Sequence, residues 1–212
     1  MIISVTSLKG GVGKSTISQN IAVGFAHMGY KVAIVDTDLN ASSVRWSGMR
    51  SDDVPEITVV GITEAEALRK NIKQLHKDYD LIVIDGTPSL SKLVSTIMVL
   101  GDLVLIPIRP GGFDIWATEL FIEKYEQAKA LKDEMQAYFI LNEYSDSINL
   151  NREIKEALSD LDIGILKSTI KHRVAYSEAV FLGQGAFEYK DIKAKIEVAD
   201  LTNEVLNIIQ KL

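Results

Sequence analysis

Residues Leu8-Lys9-Gly10-Gly11-Val12-Gly13-Lys14-Ser15-Thr16 combine three glycines, two lysines and two hydroxyls in nine positions. They follow a β-branched run and precede a helix-period segment. A glycine turn at such a junction lets backbone N–H groups approach a ligand with no Cβ in the way. The helix N-terminus adds partial positive charge, which suits a phosphate. Lys14 is placed to reach the β- and γ-phosphates, and Ser15 to put its hydroxyl on Mg²⁺. The usual phosphate-loop pattern has Gly where Leu8 stands, and here Lys9 precedes the paired glycines instead. The bland alternative is a tight turn that binds nothing.

Acidic residues close two apolar runs. Val32-Ala-Ile-Val-Asp36 continues as Thr37-Asp38, and Leu81-Ile-Val-Ile-Asp85 continues as Gly86-Thr87-Pro88. The C-terminal ends of parallel strands are where open α/β sheets bind ligands. A buried strand ending in Asp85 is able to hold a Mg²⁺-bound water against the phosphate loop. Gly86 frees its backbone to move with the γ-phosphate. A helix cap is the bland reading for Asp38 and Asp85.

These residues need elements to position them. Ile2–Ser7, Val32–Asp36, Leu81–Asp85, Leu103–Ile108 and Tyr138–Asn142 read as buried parallel strands, with Ile57–Val60 weaker. Helix patterns fall at Lys14–His27, Glu64–His76, Ser89–Leu100, Ile115–Leu131, Leu150–Ser159 and Ile192–Leu212. Thr63 with Glu66 forms a capping box for the second, and Gly29 marks the end of the first. The last helix is expected to pack Ile192, Ile196, Ala199, Val205, Ile208, Ile209 and Leu212 on the sheet. Strands alternating with helices predict an α/β fold, a mostly parallel twisted sheet with helices on both faces, as one domain over residues 1–212.

The loop resembles the deviant Walker A sequence, Lys-Gly-Gly-x-Gly-Lys-Ser/Thr-Thr, of the ParA/MinD superfamily of P-loop ATPases, and the likeness extends along most of the chain. It implies ATP and Mg²⁺ as cofactors, with Lys9, Gly10, Gly11, Val12, Gly13, Lys14, Ser15 and Thr16 around the nucleotide. Lys9 would reach the ATP of a second copy in a sandwich dimer. The family's Asp-x-Asp motif maps to Asp36 and Asp38, with Asp38 on the attacking water and Asp36 supporting the metal site of Ser15 and Asp85. Leu39-Asn40 stands where the family often has Pro-Gln. Pro107-Ile-Arg109-Pro110 with Phe113-Asp114 matches a further family segment. Asn142 matches the asparagine that meets adenine, although Asn is also common in turns.

Charge is segregated. The chain carries a formal −6, yet residues 167–195 hold six basic against three acidic residues. In the ParA branch, basic residues in this part bind DNA without sequence preference, which here points to Lys167, Lys171, Arg173, Lys190, Lys193 and Lys195. An ordinary solvated face is the alternative. The resemblance as a whole implies a slow ATPase that partitions or positions a cargo and is stimulated by a ParB-like or other cargo adaptor. Because the chain opens on its first strand, it is expected to lack the N-terminal DNA-reading domain of longer relatives.

Composition narrows the choice. With no Cys there is no thiol nucleophile, disulfide or cysteine-ligated cluster, which removes the cluster-carrying relatives. A pI of about 5.2 argues against a chain that is basic throughout. The apolar run 97–108 contains Asp102 and Pro107 and falls short of the ~20 residues a bilayer span needs. The expectation is a cytoplasmic, nucleoid-associated protein. A MinD-like membrane-cycling positioner would want a basic amphipathic tail, whereas only Lys211 follows Lys195. A metabolic ligase on the same scaffold, such as a dethiobiotin-synthetase-like enzyme, would want a substrate pocket the sequence does not reveal.

Overall fold

The computed structural model describes residues 1–89, 92–109, 115–144, 158 and 163–212. Seven strands are β1 (Ile2–Val5), β2 (Val32–Asp36), β3 (Ile57–Gly61), β4 (Leu81–Asp85), β5 (Leu103–Ile108), β6 (Gln136–Tyr144) and β7 (Gly164–Lys171). They form one sheet in the order β3-β2-β4-β1-β5-β6-β7, and every pairing is parallel. The helices are α1 (Lys14–His27), α2 (Ser42–Ser47), α3 (Ala65–Asp78), α4 (Lys92–Leu100), α5 (Ile115–Lys129), α6 (Val174–Phe181) and α7 (Ile192–Ile209).

Strand alternation sends neighbouring side chains to opposite faces. Ile3, Val5, Ile34 and Val83 pack with α1, α6 and α7 on one face. Ile2, Ile82 and Ile84 pack with Leu68 and Ile72 of α3 and with Ile97 of α4 on the other, where Val104 and Ile106 meet Phe121 and Tyr125 of α5. The expected two-faced α/β architecture is what forms. Its central strands carry a near-continuous β-branched run because both of their faces are covered.

Two expectations fail for local reasons. The Thr63–Glu66 capping box does not form. The chain stays extended past β3, with the Ile62 N–H on the Asp36 carbonyl at 2.8 Å, so α3 starts at Ala65 after an extended Glu64 with no side-chain cap. The Glu66 carboxylate turns to Lys92 at 3.3 Å. In α7 the buried stripe is Ala194, Val198, Leu201, Thr202, Val205 and Ile209, while Ile192, Ile196 and Leu212 are exposed. Two contacts fix that phase. Asp191 caps the N–H groups of Lys193 and Ala194. Thr202 lies so close to α1 that a Cβ on Gly24 would stand 2.2 Å from its hydroxyl.

Strand β7 and helices α2 and α6 carry no clear pattern in the sequence. β7 bulges between Ile165 and Thr169. The N–H groups of Lys167 and Ser168 there donate to Glu204 of α7 at 2.8 and 2.7 Å, and that of Lys171 donates to Glu197 at 3.2 Å. The helix expected over 150–159 lies outside the described residues except Leu158, which is helical and buried.

Candidate nucleotide and metal site

Every residue with expected phosphate or metal chemistry comes to one end of the sheet. The loop from β1 to α1 uses left-handed backbone at Gly11 (φ 72°) and Gly13 (φ 91°), which favours glycine at both. Gly13 also serves as the N-cap of α1 without a side-chain cap, and the first turn carries no acidic residue. Within α1 itself nothing caps the positive end of the dipole, a disposition that suits an anion. A Cβ on Gly13 would stand 2.0 Å from Asn142 Nδ2, so that close approach also requires glycine.

Lys14 is buried, and its Nζ donates to the Lys9 carbonyl at 2.8 Å. Burial lowers its pKa, and the carboxylates of Asp85 and Asp38 oppose that shift. Ser7 braces the same turn by accepting from the Lys9 N–H at 3.2 Å.

Asp36 and Asp85 are fully buried and sit opposite one another in the β2–β4 register. Asp36 accepts from the Asp38 N–H at 3.0 Å and from the Ser43 and Val44 N–H groups at 2.8 and 3.1 Å. It is thus the anchor for the start of α2, whose own N-cap, Ala41, is left-handed (φ 50°) and contributes no side-chain cap. That engagement agrees with a supporting rather than a directly ligating part for Asp36. Asp38 is half-buried and accepts from the Asn40 N–H at 2.9 Å, while Leu39 beside it is 87% exposed.

Asp85 accepts from the hydroxyls of Ser43 at 2.7 Å and Ser18 at 3.3 Å, and also from Ser15. Burial pushes its pKa up to about 6, the serine hydroxyls pull it back, and Asp36 adds to the rise. Neither Asp36 nor Asp85 has a basic side chain within ion-pair distance among the described residues. A buried carboxylate held by hydroxyls and lacking a base fits a divalent cation. No group of three or more His, Cys, Asp or Glu gathers among the described residues. Mg²⁺ takes one or two protein ligands and fills its octahedron with water and phosphate oxygens. Ser15 and Asp85 are the residues that would hold it.

Beside the start of α1 lies a cavity of about 370 Å³ between Thr16 and Asn142 on one side and Arg173, Tyr176, Val180 and Phe181 on the other. Its size and mostly apolar wall suit a nucleobase. Asn142 is nearly buried and donates to the Val12 carbonyl at 2.9 Å, so it buttresses the phosphate loop as well as lining the cavity. Gly86 donates to the Val5 carbonyl at 2.9 Å, and a Cβ there would stand 2.7 Å from that oxygen. Pro110, Phe113 and Asp114 lie outside the described residues.

The six basic residues at the C-terminal end are less uniform. Lys167, Lys190 and Lys193 are exposed, and Lys171 and Lys195 are half-buried. Lys190 lies over the Tyr189 ring, 5.4 Å from its centroid. Arg173 is drawn into a fork with Glu197, with N–O distances of 2.9 and 2.6 Å.

Ser18, Gln19 and Ser43 are site residues that sequence reasoning missed. Ser18 lies one helical turn beyond Ser15, a spacing that could have flagged it. Ser43 had no local signal beyond a short polar run.

The comparisons with known proteins agree with this geometry. Residues 3–186 match the CobQ/CobB/MinD/ParA nucleotide binding domain. The chain is 28% identical over 207 residues to the maintenance of carboxysome distribution protein A of Halothiobacillus neapolitanus, covering 96% of this chain and 95% of that protein. It is 29% identical over 203 residues to protein ParA of Rhizobium radiobacter, covering 93% and 90%. The septum site-determining protein MinD of Pyrococcus horikoshii, solved with Mg-ADP, is 25% identical with a TM-score of 0.72, covering 96% of this chain and 95% of that one. A phosphate loop with two lysines, aspartates closing adjacent strands and a match across most of the chain identify it as a member of the CobQ/CobB/MinD/ParA nucleotide-binding family, the ParA/MinD group of ATPases.

Proposed function

We propose that this chain, acting as one ATPase domain over residues 1–212, is a ParA-like positioning switch. In this reading it hydrolyses ATP slowly, pairs with a second copy while ATP is bound, and holds DNA without sequence preference. A cargo-bound adaptor, ParB-like or other, accelerates hydrolysis and releases it, so the cytoplasmic protein spends its ATP state on the nucleoid. The observation that carries the reading is the convergence of Lys14, Asp38 and Asp85 on a glycine loop that also bears Lys9. Full-length similarity to a carboxysome-distribution protein and to ParA supports a positioning role.

The chemistry asked of the protein is positioning and charge stabilisation. Loop N–H groups and the Lys14 ammonium hold the phosphate oxygens. Asp38 orients the attacking water, accepting from it once the loop frees its carboxylate from Asn40. Lys9 of a second copy adds positive charge where the leaving phosphate gathers negative charge. A cation supplied from another chain raises phosphoryl-transfer rates by about 10³–10⁵ elsewhere, which explains why an unstimulated copy would be slow. Mg²⁺, when bound at Ser15 and Asp85, neutralises phosphate charge.

Lys167, Lys190, Lys193 and Lys195 are the residues proposed to meet DNA, joined by Lys171 and, once released from Glu197, Arg173. Pairing two copies doubles a weak basic footprint, so nucleotide controls affinity. The test is binding of mixed-sequence duplex DNA at low and moderate salt with ATP, with ADP and without nucleotide, beside Lys14→Ala. Expected is binding with ATP only, weakening with salt at a log–log slope of about −0.9 per phosphate neutralised, and lost in the variant. Equal binding in all three states, or none in any, overturns the switch.

A further inference from the structure

Ser43 is fully buried, lies outside every recognised motif, and touches three parts of the site at once. Its backbone N–H donates to Asp36 Oδ2 at 2.8 Å. Its hydroxyl accepts from Gln19 Nε2 of α1 at 3.2 Å and donates to Asp85 Oδ2 at 2.7 Å. A serine hydroxyl has one hydrogen. With the Gln19 amide pointing into the oxygen, that hydrogen is directed at Asp85, and the bond has a fixed sense. Its length is that of a charge-assisted O–H···O⁻ bond, whereas the Ser18 hydroxyl sits at 3.3 Å from the other oxygen, Oδ1. Ser15 of the phosphate loop bonds the same carboxylate, so Asp85 is shared among three hydroxyls, and the short bond from Ser43 fixes Oδ2.

We infer that Ser43 is a positioning residue for the metal site: by gripping Asp85 Oδ2 it presents Oδ1 toward the Mg²⁺ side and ties that carboxylate to the Asp36–Asp38 turn through the start of α2. The inference deepens the nucleotide-site reading above and rests on it. Asp36 holds the Asp38 N–H with one oxygen and the Ser43 N–H with the other, so the turn that carries the water-orienting carboxylate and the strand that carries the metal carboxylate share one hinge point. A shift of α2 large enough to move Asp38 also changes the grip on Asp85.

The experiment is Mn²⁺ titration of the ADP-bound protein by electron paramagnetic resonance, with fluorescent-ADP binding in EDTA measured in parallel. Hydrogen-bond partners of ligating groups commonly alter metal affinity by about 10–100-fold. S43A is expected to weaken Mn²⁺ binding by about tenfold, with metal-free ADP binding unchanged. ATP turnover should fall in kcat and not in KM at saturating metal. Q19M keeps the hydroxyl and frees it to rotate, and is expected to weaken Mn²⁺ in the same direction by less. Q19M carries the test if S43A does not fold. Mn²⁺ affinity in Q19M and in folded S43A equal to that of the wild type overturns the inference, as does equal loss of ADP binding in EDTA. A wild-type protein showing no ADP-dependent Mn²⁺ binding overturns the site reading itself, a separate failure.

Discussion

Asp36 and Asp85 at the nucleotide end and Glu188 and Glu197 around the C-terminal helices are all withdrawn from water, yet they are compensated in opposite ways. Glu188 receives Arg50 through paired bonds of 2.8 and 3.0 Å, with His27 at 3.2 Å and the Gly185 N–H at 2.9 Å. Arg50 in turn stacks on Trp46 and donates to the carbonyls of Gly183 and Pro55 at 2.9 Å each. Glu197 receives Arg173, the Tyr176 hydroxyl and a strand N–H. The aspartates receive only hydroxyls and N–H groups. Burying a carboxylate with no cation in bonding contact is expensive, and carboxylates so placed cluster at functional sites. The glutamates close the structure, and the aspartates leave it ready for a ligand.

The largest expected effect falls on the closed pair. Replacing Arg50 with Met strands Glu188 in the interior and should cost about 3–5 kcal/mol in urea unfolding. The double change Arg50→Met with Glu188→Leu should recover most of that loss. A single variant as stable as the wild type would break the contrast.

At the open site the same kind of deletion should spare stability and remove function. Lys14→Ala is expected to lower ATP turnover by about 100- to 1,000-fold, the scale seen when one charge-stabilising donor is lost. Steady-state phosphate release measures it, and a tenfold loss or less would mean that Lys14 is not on the phosphates.

Asp85 supplies a pH signature. Its ordinary pKa of 3.8 rises to about 6 in the folded protein, so the native state holds this proton more tightly than the unfolded chain. Its contribution to stability is therefore present at low pH and is lost as pH rises from about 4 through about 6, in total about 3 kcal/mol. Nucleotide-free unfolding should show that decline in the wild type and not in Asp85→Asn, and Mg²⁺ with ADP should restore stability near neutrality.

The smallest effect is expected at Glu197. Glu197→Gln should cost about 1 kcal/mol, since Arg173 remains partly in water. The Tyr176 hydroxyl, held above its usual range by burial and by Glu197, should ionise at lower pH in the variant when followed by ultraviolet absorbance.

The open site was the more legible of the two regions. Its parts lie at strand ends and in one glycine loop, where sequence-adjacent residues stay adjacent in space. Asp36 and Asp85 were readable because each closes an apolar strand, and Asp38 because it follows Asp36 by two residues. Ser43 and Gln19 were not, because their roles arise from helices meeting across the sheet. The Arg50–Glu188 pair joins positions 138 residues apart and leaves no local trace. The phase of α7 was legible only in part: Val205 and Ile209 face inward as expected, but Ala194, Val198 and Leu201 complete the stripe in place of Ile192 and Ile196, with Thr202 set against Gly24 of α1.

The carboxylates of Glu197 and Glu204 have one more consequence, set by where β7 lies. It is the last strand of the sheet, and the N–H groups these residues take up are ones an incoming strand would seek. Indefinite growth by strand addition requires two receptive edges on every unit. With three donors of this margin already engaged from within the chain, β7 offers an incoming strand an interrupted ladder. Edge-to-edge growth of copies through this strand is disfavoured to that extent.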